Sequence, residues 1–256
     1  MQNPCVLSLA GWDPSCGAGL AADIKTCEAY GVYGLGVCTG VTYQNHETFD
    51  GMRWIALEEI KKQIDPVLRY PLGAVKIGII ENTDVLMDVV QHIKTMHPTV
   101  FVIWDPVLSA TTGHDFHKET WDVRFDRIAG MIDLITPNAS ELRTLSGESN
   151  LEKAGLSLST KCSVITTSYK QEEESIQDVL FINGEKCDFF GSVIANREKH
   201  GSGCVFSTAL ACSIARGADL QTACTDAGRC VRRFLQSDES MLGWHYGKES
   251  GYRGRR

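Results

Sequence analysis

Short apolar runs alternate along this chain with stretches of helical periodicity. Val6-Leu7-Ser8-Leu9-Ala10 stops at Gly11 and predicts a buried strand. Beyond the glycine-rich loop 11–19, Leu20, Ile24, Cys27 and Tyr30 share one helical stripe, and Gly31 supplies its stop. Strand-like text returns at 35–42. Leu57, Ile60, Ile64 and Leu68 are spaced as a helix that Pro66 must bend or end. Residues 74–77 predict a strand, and Asn82 or Thr83 caps a helix running to about His97. The run 100–104 predicts a strand ending at Asp105-Pro106, and Leu134-Ile135 ends at Thr136-Pro137-Asn138. Residues 162–167 are strand-like. Residues 179–182, Asn183-Gly184 and 187–190 predict a hairpin with a type I′ turn. Two helices, near 203–216 and 219–236, close the pattern, and the polar, basic tail 248–256 is expected to fray.

Strand, loop and helix in regular alternation imply an α/β fold, a mostly parallel sheet with helices on both faces. No linker or repeat interrupts it, so residues 1–247 are expected to form a single domain. Asp13, Gln44, Asn45, Asp105 and Asn138 all fall just after predicted strands. Ligands of open α/β sheets bind beyond the carboxyl ends of the strands, so these residues mark the expected crevice.

Composition narrows the function. The 256 residues are 43% hydrophobic and 22% charged, enough for a sizeable core and too apolar for disorder. A net charge of −7 argues against a nucleic-acid partner, which needs a basic face. No run of 18 apolar residues predicts a membrane span, and the N-terminus does not read as a signal peptide, so a cytoplasmic protein is expected. The ten cysteines then read as free thiols, and the lack of any C-x-x-C pair excludes a zinc ribbon.

The candidate chemistry concentrates in Lys199-His200-Gly201-Ser202-Gly203-Cys204, which opens a helix. Glycines allow close backbone approach, and the first amides of a helix point outward unpaired with a partial positive charge. Together they make an anion hole suited to phosphate. The same field predicts a Cys204 more acidic than a free cysteine, able to take a proton from an attacking alcohol. A glycine-rich turn with a buried cysteine is the alternative. No G-x-x-x-x-G-K-[ST] is present, which excludes a P-loop, and both G-x-G segments lack the third glycine of a dinucleotide fingerprint.

That segment resembles the anion-hole motif of the ribokinase-like family, in the branch with cysteine: hydroxymethylpyrimidine kinases and some pyridoxal kinases. Residues 10–19, Ala-Gly-Trp-Asp-Pro-Ser-Cys-Gly-Ala-Gly, look like the A-G-x-D-P-S-G-G-A-G stretch of hydroxymethylpyrimidine kinases. Ala22-Asp23-Ile24-Lys25-Thr26, Tyr43-Gln44-Asn45, Lys76-Ile77-Gly78, Asp105-Pro106-Val107 and Thr136-Pro137-Asn138 with Glu141 continue the match in order.

The resemblance implies an ATP-dependent kinase acting with Mg²⁺ on a small aminopyrimidine alcohol in thiamine biosynthesis. It also implies a homodimer. Gly201, Ser202, Gly203 and Cys204 would be catalytic. Gly11, Asp13, Gln44, Ile79 and Val107 would hold the substrate, Asn138, Thr166 and His200 the nucleotide, and Glu141 and Asp105 the metal. Gln44 offers an adjacent donor and acceptor for an aminopyrimidine edge. Asp13 contacts substrate or caps the glycine loop. Asn138 and Glu141 also read as a capping box. Trp12 and Cys16 are bulkier than the family's residues there, and Ile79 stands where methionine is common. The main departure is Ile165-Thr166-Thr167-Ser168-Tyr169, where the family has a lysine, two glycines and a histidine. Lys170, Arg197 or Lys199 are candidates to replace that lysine. A pyridoxal kinase and a catalytically weak pyrimidine-binding relative are the rival functions.

Overall fold

Alternation within each strand sorts the apolar residues into two cores. In a computed structural model that describes residues 4–109, 116, 127–128, 130–194 and 198–246, one sheet separates them. The strands are β1 (Cys5–Trp12), β2 (Tyr33–Gln44), β3 (Phe49–Trp54), β4 (Leu72–Ile77), β5 (Phe101–Trp104), β6 (Leu134–Ile135), β7 (Ser163–Gln171), β8 (Ser175–Ile182) and β9 (Glu185–Ser192). Leu7, Val75, Val102, Ile135, Val164 and Phe181 face one core, while Val6, Ala74, Ile103, Leu134, Ile165 and Leu180 face the other. That is the two-sided burial expected of continuous apolar strands.

The first core is covered by α2 (Leu57–Ile64), α3 (Thr83–Met96), α4 (Ala139–Ser146) and α5 (Leu151–Ser159). The second is covered by α1 (Gly19–Ala29), α6 (Ser202–Ala215) and α7 (Leu220–Leu235). Helix α6 is buried almost all round from Val205 to Ser213, so its apolar and small residues show no stripe.

The nine strands run in the order β3-β2-β1-β4-β5-β6-β7-β8-β9. Pairings from β2 through β7 are parallel; β3 at one margin and β8 and β9 at the other are antiparallel. The predicted hairpin joins β8 and β9, with Asn183 at φ 52° and Gly184 at φ 79°, as a type I′ turn requires. Pro66 lies just past the end of α2, and Asn82 caps α3 through its side chain onto the Val85 amide. Strand β3, with Asp50, Gly51 and Arg53, was not legible as a strand, and neither was α5. The frayed-tail expectation for 248–256 lies outside the described residues. No described helix is long and apolar enough to cross a membrane.

Candidate active site

Parallel strands bring their carboxyl ends to one edge of the sheet. There a cleft of about 310 Å³ opens. Gly11, Gln44, Ile79, Val107 and Asp105 line it from the strand ends, Asn138 and Glu141 from the start of α4, and His200 to Cys204 from the start of α6. Of the crevice and site residues read from sequence, Asp13, Asn45 and Thr166 are not on its wall.

Gly201, at φ 81°, is the N-cap of α6, and no side chain caps the helix. The turn can sit there only as glycine. A Cβ on Gly201 would meet the Gly17 carbonyl oxygen and lie 2.8 Å from the Ala18 Cα, whereas one on Gly203 meets nothing within 4 Å. The two glycine loops are thus packed backbone against backbone, while Gly203 faces open space.

Asp13 takes the capping alternative. Its carboxylate accepts hydrogen bonds from the Ser15, Gly17 and Ala18 amides and the Ser15 hydroxyl, and lies 3.0 Å from His200 Nε2. Burial opposes ionisation, but the bonds from His200, Ala18 and Ser15 outweigh it and hold the carboxyl below the usual range. Asp13 therefore orders the loop from behind and, through His200, ties it to the anion-hole turn. Cys16 adopts φ 55° where the resembled motif has glycine.

The expectation of an acidic Cys204 is corrected. Burial pushes the thiol up to about 12, against the lowering pull of the Lys76 charge and a hydrogen bond from the Gly19 amide. Enclosure outweighs the helix terminus here.

Thr166 is also corrected. It is fully buried in β7, its hydroxyl without a partner, because the strand's alternation turns its neighbour Thr167 toward the cleft. The strand is irregular between Thr166 and Lys170, and Ser168 adopts φ 50° with its amide donating to Asp178 Oδ1 at 2.8 Å. A left-handed residue thus persists where the family carries glycines. None of the described candidates is a spare cation. Lys170 is exposed and pairs with Glu172 at 2.7 Å, and Lys199 donates to the carbonyls of Asp238 and Ser240 at 2.8 and 2.6 Å. Arg197 lies outside the described residues.

The capping box at α4 is present: Asn138 Oδ1 accepts from the Ser140 and Glu141 amides, and Glu141 Oε2 accepts from the Asn138 amide at 2.9 Å. Burial, with Asp105 adding to it, raises the Glu141 carboxyl to about 7. Two carboxylates on one cleft wall, Glu141 raised in part by the Asp105 charge, fit a hydrated divalent cation. Of the two, Asp105 is the more occupied, accepting from Ser207 at 2.8 Å and Thr136 at 3.2 Å.

Sequence reading gave Lys76 no role. It is fully buried in β4 and lines the cleft floor, 2.9 Å from Asp23 and 3.8 Å from Asp105. Ser8 and Thr208 complete the Asp23 carboxylate at 2.6 and 2.7 Å. The signal was available: a lysine inside the apolar text Ala74-Val75-Lys76-Ile77 must be paired if that text is a buried strand.

The sequence model of the phosphomethylpyrimidine kinases matches residues 13–249. The chain belongs to this family. It is 29% identical over 246 residues to the hydroxymethylpyrimidine/phosphomethylpyrimidine kinase of Aquifex aeolicus, covering 92% of this chain and 95% of that one. It is equally identical to a probable thiamine biosynthetic bifunctional enzyme of Oryza sativa, covering 94% of this chain but 46% of that protein. It thus spans about half of the plant relatives and nearly all of the bacterial one. Among solved structures, the pyridoxal kinase of Staphylococcus aureus with ADP superposes with a TM-score of 0.84 at 19% identity, covering 98% of this chain and 96% of that one. The phosphomethylpyrimidine kinase of Clostridium difficile gives 0.76 at 24% identity, covering 90% and 99%. These likenesses establish the fold, and the α/β, ribokinase-like expectation holds.

Proposed function

We propose that this phosphomethylpyrimidine kinase family member transfers the γ-phosphoryl group of ATP to the hydroxymethyl group of 4-amino-5-hydroxymethyl-2-methylpyrimidine, in thiamine biosynthesis. The observation that carries this reading is one cleft holding Gln44 at one wall and the uncapped N-terminus of α6, with Cys204, at another. The Gln44 side chain makes no hydrogen bond within the described residues, so its amide donor and acceptor are available to an aminopyrimidine edge. Ile79 and Val107 supply apolar walls for the ring.

The outward N–H groups of residues 201–204 would stabilise charge on the transferred phosphoryl group. Bound Mg²⁺, held through Glu141 with Asp105 behind it, would neutralise charge on the triphosphate. Phosphoryl transfer passes through a loose transition state, so positioning and electrostatics carry most of the rate. Cys204 would take the hydroxyl proton. Because burial raises its thiol, this acceptor role rests on the Lys76 charge and the amides at the start of α6, which favour the thiolate.

The fold likeness to pyridoxal kinases supports a second reading, with pyridoxal as acceptor. A coupled ATP-turnover assay with the pyrimidine, pyridoxal or no acceptor separates them. We expect turnover with the pyrimidine and a loss on the order of 10²–10⁴ in Cys204→Ala, with folding retained. Turnover with pyridoxal alone selects the second reading, and no acceptor-dependent turnover removes both.

A further inference from the structure

A second cavity, of about 530 Å³, lies among α1, α6, α7 and residues 244–246. Its volume falls within the usual range of small-molecule sites. Arg216, Arg229 and Arg233 line it, against the carboxylates of Glu28 and Asp226, in a protein of net charge −7. Arg216 spends one N–H on the Tyr30 carbonyl at 2.8 Å, and Arg229 lies 3.5 Å from Asp226. No described carboxylate pairs with Arg233. With five N–H donors on each guanidinium, most of this donor capacity is unspent among the described residues.

Five rings, Tyr30, Phe234, Trp244, His245 and Tyr246, also line it, among small and apolar residues. The His245 ring lies 4.9 Å from that of Phe234. Thr26 gives its hydroxyl proton to the Ala22 carbonyl at 2.8 Å, so its oxygen accepts from His245 Nδ1 at 3.0 Å. We assign the tautomer on that basis, which leaves Nε2 an acceptor. Burial first, then the Lys25 charge, lowers the ring's pKa to about 4, so the acceptor persists at neutral pH.

We propose that this cavity is an effector site for a phosphorylated aromatic heterocycle bearing an N–H or O–H donor. The guanidiniums would hold the anionic group, the rings would stack on the heterocycle, and His245 Nε2 would accept its hydrogen bond.

The cavity and the cleft share two supports. Val205 lines the cavity and the adjacent Cys204 lines the cleft, both in the first turn of α6. Trp244, whose amide donates to Ser237 Oγ, belongs to the segment that Lys199 grips at Asp238 and Ser240. The His200 amide donates to Met241 in that same segment. A ligand pressing on 244–246 therefore pushes on the anion-hole turn from behind.

Calorimetry with pyridoxine 5′-phosphate tests the site without requiring turnover. The whole protein is compared with Arg216→Ser/Arg233→Ser and with Gln44→Leu, each checked for an unchanged unfolding midpoint. Binding should weaken at least tenfold in the arginine variant, which loses charge-assisted hydrogen bonds, and stay unchanged in Gln44→Leu. Trp244 fluorescence should change on binding and not in Trp244→Phe. Saturating ligand should also alter ATP affinity severalfold. Binding lost in Gln44→Leu but kept in the arginine variant places the ligand in the cleft and overturns the proposal. So does the absence of saturable binding at millimolar concentration, and unchanged ATP affinity overturns the effector role.

Discussion

Gly201 and Gly203 differ by two positions and should respond oppositely to the same substitution. Gly201 sits at φ 81° with the Gly17–Ala18 backbone against the space a Cβ needs. Gly201→Ala should cost about 1–3 kcal/mol, from left-handed strain and overpacking against backbone that cannot move aside. Gly203→Ala meets nothing within 4 Å and replaces glycine inside a helix, so it should stabilise by up to about 1 kcal/mol. If residues 201–204 hold the phosphoryl group, the same methyl intrudes on the anion path and lowers turnover. Urea unfolding and the kinase assay read both effects. A Gly203→Ala protein of full activity would take that glycine out of the site. Glu141 offers a check on electrostatics. Its folded pKa is raised, so its stabilising contribution in the metal-free protein is complete below the ordinary value near 4.5 and is lost as pH climbs through about 7. Glu141→Gln should flatten the pH dependence of the melting temperature in that window, and Mg²⁺ with ATP should recover stability for the wild type only.

At the scale of elements, sequence legibility followed burial. Strands β1, β4 and β5 are mostly apolar because both faces are covered, and they were readable for that reason despite the buried Ser8 and Lys76. β3 is an edge strand with half-exposed residues, so its pattern is polar, although its pairing with β2 is what supports Gln44 at its end. The cap residues of α4 were legible because Asn138 and Glu141 satisfy local backbone amides. β7 was legible only in part: period two decides which of Thr166 and Thr167 faces the cleft, but the phase is set by pairing with β6 and β8. That phase makes a prediction about the missing lysine. Thr167→Lys should place an ammonium in the cleft and tighten ATP binding by roughly tenfold, since hydrogen bonds to charged groups are the stronger ones. Thr166→Lys should instead bury an unpaired charge and cost about 3–5 kcal/mol. Measuring nucleotide affinity and unfolding for both variants tests the register. Tighter ATP binding in Thr166→Lys would mean that the phase is reversed.

Across the whole molecule, one buried polar cluster joins elements that the sequence presents as unrelated. Asp23 comes from α1, Lys76 from β4, Asp105 from the end of β5, and Ser207 and Thr208 from α6. Ser207 and Thr208 lie three and four residues beyond Cys204, on the same helix face, so their bonds to Asp105 and Asp23 hold the first turn of α6 above Lys76. Such a cluster could not be read from sequence, because its members are up to 185 residues apart and meet only when the sheet order is set. Burial strongly disfavours a charged Lys76, yet Asp23 first, then Cys204 and Asp105, oppose it, and the net shift of the ammonium is upward. The charge is therefore kept at neutral pH by its partners alone. Removing one partner leaves the other buried and uncompensated, so Lys76→Met should destabilise by about 3–5 kcal/mol, and Asp23→Leu by a similar amount. Removing both leaves no bare charge between them, so the double variant should lose clearly less than the two losses added together. Urea unfolding of the four proteins in the cycle measures that difference. Strict additivity would mean that Lys76 and Asp23 act independently, and the cluster would then not be the support that positions Cys204.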